Sequence, residues 1–286
     1  MSLTLLDHLS RIYPNAKRTT LRRMVEARRV SINGNTTIIA RHPVAESDVV
    51  VVKSDRARPR PIKAPLPIVF EDEHIIVINK PPGLLTSTVA REKRPTAFAM
   101  LKSYVRAREP RAQVGLIHRL DADASGLLIF SKNHNSFLSL KRQFLRHGVD
   151  RIYMAVVEGI PTPRKGKIES RLVERADGSV HSGGNSRKGQ RAITYYETIT
   201  TVQNRSMVRV KLQTGRKHQI RVHLSERAVP IVNDPVYGKS KPLGRLMLVA
   251  TELAVDHPHM HERMTFKIDF PSEWNAKSSD ESLACG

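Results

Sequence analysis

Apolar residues run through the chain in short blocks broken by charged or turn-forming clusters, and helical spacing is confined to a few windows. Near the N-terminus, Leu21, Met24 and Val25 share one face of the segment Leu21–Arg29, with Thr20 placed to cap it. Arg22, Arg23, Arg28 and Arg29 make the rest of that segment basic. Val30–Asn35 predicts a strand entering an Asn33-Gly34 turn, and Asp48–Lys53 predicts a second strand. With a helix after Leu3, these elements form a small α/β module over residues 1–55. Residues 56–67 hold four prolines among arginines, which predicts a semi-extended linker and a domain boundary.

After the linker, strands and helices mix without a regular alternation. Ile68–Phe70 and Ile75–Ile78 flank Glu71-Asp72-Glu73 as a hairpin, and 96–108 and 135–147 have helical spacing. Strand-like runs follow at 151–157, 167–173, 192–200, 207–212, 247–255 and 264–270. Many adjacent strands with few helices predict an α+β domain over 68–272, built on a mixed, largely antiparallel sheet rather than a doubly wound one. Asp177–Gly189 is expected to be a mobile loop or lid, and 273–286 a disordered tail.

Composition adds a direction. Forty-eight Lys and Arg against 27 Asp and Glu leave a formal charge of +21, which a polyanionic partner would offset. Nucleic acid fits better than a membrane surface, because no run of 18 apolar residues and no basic amphipathic helix backed by Trp or Phe is present. The N-terminus lacks the basic and apolar regions of a secretory signal. A single cysteine, Cys285, rules out disulfides within the chain and fits a cytoplasmic location. His257-Pro258-His259-Met260-His261 would align its histidines on a strand, but no Cys or carboxylate completes a metal set, so no metal is expected.

The candidate chemistry lies between two apolar blocks, Val114–Ile117 and Gly126–Phe130. The residues between them include His118, Arg119, Asp121, Asp123 and Ser125. Charges set between core strands are costly unless they are paired or face a cleft. A polar turn would explain a generic Asp-x-Asp loop. Here the run His118-Arg119-Leu120-Asp121, followed by Ser125-Gly126-Leu127-Leu128, is more specific. It resembles the second motif of the RluA-type pseudouridine synthases, with Ala124 where that family usually has Thr. Four further stretches resemble the family in the same order. They are Asn79-Lys80-Pro81-Pro82-Gly83, Tyr153–Val157, Thr214–His223 and Pro230–Gly238, the last with Asn233 in place of a usual Gly. The family's Leu-His-Ala is Leu248-Val249-Ala250 here. The module 1–55 resembles an S4-type RNA-binding domain in layout and charge.

The resemblance implies isomerisation of uridine to pseudouridine without a cofactor. Asp121 would be the indispensable carboxylate, either attacking ribose C1′ or assisting a glycal intermediate, with Arg221 as its cationic partner. Tyr153 would stack on the uracil and Ile220 would cover its other face. Arg119 would fill the gap left by the extruded nucleotide. His118, Arg216 and Lys80 are expected at the substrate, with His118 and His218 orienting backbone or phosphate rather than acting as bases. Asp123 is expected to be a turn residue. Arg22, Arg23, Arg28 and Arg29 would face RNA. The implied partner is structured RNA, ribosomal RNA of the large subunit ahead of transfer RNA, and a monomer is expected. A non-catalytic RNA-binding factor and a glycosidase using Asp121 with Asp123 are the competing classes. The intact Asp121, Tyr153 and Arg221 speak against the first, and an aromatic content of 5% speaks against the second.

Overall fold

The computed structural model describes residues 3–14, 16–52, 64–88, 94–183, 189–271 and 274. The expected linker up to residue 63, residues 184–188 of the expected lid, and the expected tail apart from Trp274 lie outside them, as does Cys285. The chain divides into two compact units, Met1–Ile62 and Lys63–Gly286.

In the first unit, β1 (Leu3–Thr4) leads into α1 (Leu5–Ile12) and α2 (Arg18–Glu26). β2 (Val30–Ile32), β3 (Asn35–Thr37), β4 (Pro43–Val44) and β5 (Val50–Val52) follow. Thr4 accepts from the Asp7 N–H and so caps α1. Thr20 caps nothing: α2 begins two residues before it, after Lys17, which makes no side-chain cap bond. The helix also stops at Glu26. Arg28 turns left-handed (φ 57°), and the N–H groups of Arg28 and Arg29 close back on Val25 and Met24, a Schellman ending that takes both arginines off the helix. Asn33 and Gly34, both at positive φ, make the tight turn between β2 and β3 that an Asn-Gly pair favours. Leu5, Leu9, Leu21, Val25, Val30 and Val44 fill the small core.

The second unit opens with β6 (Ile68–Glu71) and β7 (Ile75–Lys80), then α3 (Ala97–Arg108), β8 (Gly115–Leu116), β9 (Ser125–Ser131) and α4 (His134–Leu145). β10 (Asp150–Glu158), β11 (Lys165–Glu174), β12 (Val180–Ser182), β13 (Gln190–Val202) and β14 (Arg205–Leu212) continue it. The remaining elements are α5 (Gln219–Glu226), β15 (Leu248–Asp256) and β16 (Arg263–Lys267). Eleven strands join in one sheet ordered β12-β11-β13-β14-β10-β15-β9-β7-β6, with β16 beside β15 and β8 beside β9. Among these pairings only β9 with β15 is parallel, so the sheet is mixed and largely antiparallel and the fold is α+β.

The central strands are apolar without alternation because both faces are covered. Ile76, Ile78, Leu128 and Phe130 face a core roofed by α3 and α5, while Ile75, Val77, Leu127 and Ile129 face a second core beneath α4. Three expectations change. Leu66, placed in the linker, is buried in the first of these cores. Part of the expected lid is β12, paired with β11. Trp274, placed in the tail, is 5% exposed and packs with Val156, Val232 and Val249. Val249, standing where the family usually has His, is thereby core. Among the described residues no helix is long and apolar enough to cross a membrane.

Candidate active site

The loop between β8 and β9 carries Asp121, and the loop after β7 fixes it. Thr86 Oγ1 donates to the Leu120 carbonyl at 2.7 Å and accepts the Leu120 N–H at 3.1 Å. Gly83 N–H donates to the Ala122 carbonyl at 2.9 Å. Lys80 does the same from its side chain. Its Nζ donates to the carbonyls of Pro81, Leu84 and Ala122 at 2.9, 2.8 and 2.9 Å, and the residue is fully buried. Lys80 is therefore a clamp on the loop and not a substrate contact, since all three of its protons are used. Desolvation holds its pKa down to about 8, with Asp121 and Asp123 pushing the other way. Gly126 ends the loop at φ 111°, where a Cβ would run into the Ala250 carbonyl oxygen and lie 2.5 Å from its nitrogen. Only glycine permits that parallel approach of β9 to β15.

With Leu120 and Ala122 held, Asp121 projects into a cavity of about 400 Å³. Arg221, from α5, lies in the wall with Nη1 3.6 Å from Asp121 Oδ2. Its tighter partner is Asp234, whose carboxylate takes Nε at 2.8 Å and Nη2 at 2.7 Å. Asp234 Oδ1 also accepts the N–H groups of Val236 and Tyr237, both at 2.9 Å. Desolvation raises the Asp234 pKa, but the Arg221 bonds and these N–H groups outweigh it and hold the carboxyl below its usual range. Sequence reasoning paired Arg221 with Asp121 alone; the Pro230–Gly238 loop was its only pointer to Asp234.

Tyr237 lies under the Arg221 guanidinium, 5.3 Å from carbon to ring centroid. Its oxygen accepts the Val180 N–H at 2.8 Å and shares a second hydrogen bond with His218 Nδ1 at 2.9 Å. His218 sits at the N-cap position just before α5, at φ 55°. The loop before it is locked by Gln219, which bonds Thr214, the Arg216 N–H and the Ile193 carbonyl. Asn233 adopts φ 60°, a conformation Asn tolerates, and its side chain spans to Arg245 O and Leu243 N, which accounts for its replacing Gly.

The other expected residues divide. Tyr153 (6% exposed), Ile220 (4%) and the exposed Arg119 and Arg216 line the same cavity. Burial pushes the Tyr153 pKa up. Among the described residues Arg119 has no ion pair, while Arg216 Nε donates to the Arg191 carbonyl at 3.1 Å. His118 lines the wall but is committed: its Nε2 accepts the Ile129 N–H at 3.3 Å and its ring stacks on Phe144. Desolvation, helped by Arg151 and Lys141, holds its pKa down to about 3, so it is neutral. Arg22, Arg23 and Arg28 are exposed on the first unit, and Arg29 is half-buried. The His257–His261 run turns rather than forming a strand: His257 Nε2 meets Asp72 Oδ2 at 2.8 Å and His259 stacks on His74.

Residues 74–226 match the family model for RNA pseudouridylate synthase. The chain belongs to that family. All of this cavity's wall except Leu248 falls within the matched span. The synthase is 34% identical over 235 residues to the ribosomal large subunit pseudouridine synthase D of Zymomonas mobilis, covering 76% of this chain and 73% of that one. It is 30% identical over 286 residues to the Pasteurella multocida protein of the same name, covering 93% and 87%. In fold it is similar to human RNA Pseudouridylate Synthase Domain Containing 4, with a TM-score of 0.61 at 23% identity over 72% of this chain and 89% of that one.

Proposed function

We propose that this synthase converts specific uridines to pseudouridine in structured large-subunit ribosomal RNA, with Asp121 as the reacting carboxylate. The observation that carries the roles is the pairing of a loop-held Asp121 with Arg221 at 3.6 Å in a cavity whose wall includes Tyr153. The N1–C1′ bond breaks, the uracil turns, C5 bonds to C1′, and the C5 hydrogen leaves as a proton while N1 gains one. Asp121 serves either by attacking C1′ or by drawing the sugar toward a glycal. Tyr153 and Ile220 hold the base between them, Arg216 meets the strand, and Arg119 at the exposed rim fills the stack behind the extruded nucleotide. Low-salt affinity comes from the basic charge, including Arg22, Arg23, Arg28 and Arg29 of an S4-like first unit. The protein acts as a cytoplasmic monomer.

The relatives' names support ribosomal RNA over transfer RNA. Mapping pseudouridine in both RNAs, from cells with and without the gene, tests the choice. Loss at one or more large-subunit positions is expected; loss confined to transfer RNA would overturn it.

A further inference from the structure

Four basic side chains are buried among the described residues: Lys80, Lys132, Arg151 and Arg221. Three are satisfied. Lys80 has three carbonyls, Lys132 has Glu71, Glu109 and the Asp72 carbonyl, and Arg221 has Asp234 and Asp121. Arg151 is different. It is 9% exposed, no carboxylate pairs with it among the described residues, and its one hydrogen bond is a long one from Nη2 to the Gln213 carbonyl at 3.3 Å. Its Nε is buried with no protein partner. A guanidinium removed from water and left this way is costly unless something else completes it.

The surroundings say what would. Arg151 lines the cavity with Tyr153, two residues along β10, and its carbon lies 5.5 Å from the Phe144 ring centroid. Lys141 and Arg216 share that wall, and among the described residues Asp121 is the only carboxylate lining the cavity. The guanidinium also occupies the space a Cβ on Gly215 would need, so the Thr214-Gly215-Arg216 turn is shaped around it. Arg151 and Tyr153 stand two positions apart on the strand, ~7 Å along the chain, a span of the same order as that from a base across its ribose to a phosphate.

We propose that Arg151 is an RNA phosphate anchor, taking the phosphodiester next to the uridine whose base lies on Tyr153. The proposal rests on the synthase reading for the identity of that nucleotide. Arg151 touches no reacting atom. It is a positioning residue that sets C1′ against Asp121 by holding the strand at one side of the sugar.

The test uses the full chain and a large-subunit ribosomal RNA transcript with uridine tritiated at C5, reading affinity against salt, kcat and KM, and melting temperature. Arg151→Met should weaken RNA binding by about 10- to 100-fold, the weight of one charge-assisted contact. It should flatten the slope of log affinity against log salt by ~0.7–0.9, the loss of one phosphate. Its melting temperature should hold or rise, because a buried charge without a carboxylate partner has been removed. Arg151→Lys should restore the slope and only part of the affinity. Gly215→Ala, which keeps the charge but shifts the guanidinium, should raise KM with little change in kcat. Unchanged affinity and slope in Arg151→Met would overturn the anchor. So would a lowered melting temperature in Arg151→Met with its slope unchanged, which marks a structural arginine. Binding is read apart from turnover, so an inactive wild type would defeat the synthase reading while the salt slope still judged Arg151.

Discussion

Arg221 is shared between two carboxylates, and the division is unequal. Asp234, with its side chain fully buried, takes two guanidinium bonds and two backbone N–H groups, whereas Asp121 stands 3.6 Å off. Asp234 thus anchors the cation, and Asp121, the proposed reacting carboxylate, would use it. Asp234→Ala leaves a buried guanidinium and two amides without their acceptor, which costs about 3–5 kcal/mol. In a unit of this size that corresponds to a melting temperature lower by roughly 6–20 °C. Asp234→Asn keeps the three bonds to Oδ1 but turns an amide N–H toward Arg221 Nε, so it should lose about 2–3 kcal/mol. Replacing the pair with apolar residues, Arg221→Met with Asp234→Leu, should recover the part of the loss that comes from the buried guanidinium but not the part from the two amides, while leaving Asp121 without its cation. Thermal melts and tritium release on the four proteins check this. The expected result is a double variant that melts above Asp234→Ala and does not turn over. Asp234→Ala melting within about 2 °C of wild type, a shift of less than about 1 kcal/mol, would refute the reasoning.

Gly126→Ala combines a left-handed backbone with a collision against the Ala250 backbone, and should cost at least about 2 kcal/mol in urea unfolding. Gly148→Ala, whose nearest contact would be an ordinary 3.7 Å, should be close to neutral, and equal effects would contradict the packing account. Lys80→Met should destabilise by about 2–4 kcal/mol and displace the Asp121 loop, with RNA affinity little changed; a stable variant that binds RNA weakly would restore Lys80 to the substrate. His118 and His223 are held neutral, with pKa values down to about 3 and about 4, chiefly by desolvation. Below about pH 6.5 the unfolded chain takes up protons that these rings refuse, so stability falls with pH, by about 2 kcal/mol for each ring between pH 7.5 and 5. His223→Gln should remove about half of that slope, and a pH dependence unchanged by the substitution would argue against it.

The sheet was legible in sequence because its strands are apolar on both faces, and runs such as Ile75–Ile78 and Leu127–Phe130 announce that burial directly. Boundaries governed by backbone conformation were not. Arg28 takes a left-handed φ that only local hydrogen bonds reveal, so α2 ends before the arginines that seemed to belong to it. The site was half visible. Asp121, Tyr153 and Arg221 stand in motifs, but Lys80 looked like a ligand-facing cation because sequence does not show three carbonyls converging on it. Arg151 carried no signal beyond an arginine at a strand start, since its interest lies in what it does not touch. α5 was missed because its spacing is that of a fully buried helix, with six consecutive residues from Gln219 to Leu224 out of solvent.

Asp121 is proposed as the reacting carboxylate, and the most direct test of that role is tritium release from RNA whose uridines are labelled at C5, since that hydrogen leaves only when C5 becomes the glycosidic carbon. Folded Asp121→Asn and Asp121→Ala proteins should bind the RNA about as well as wild type and release no tritium above the protein-free background. Substantial release by a well-folded Asp121→Ala protein would contradict the assignment.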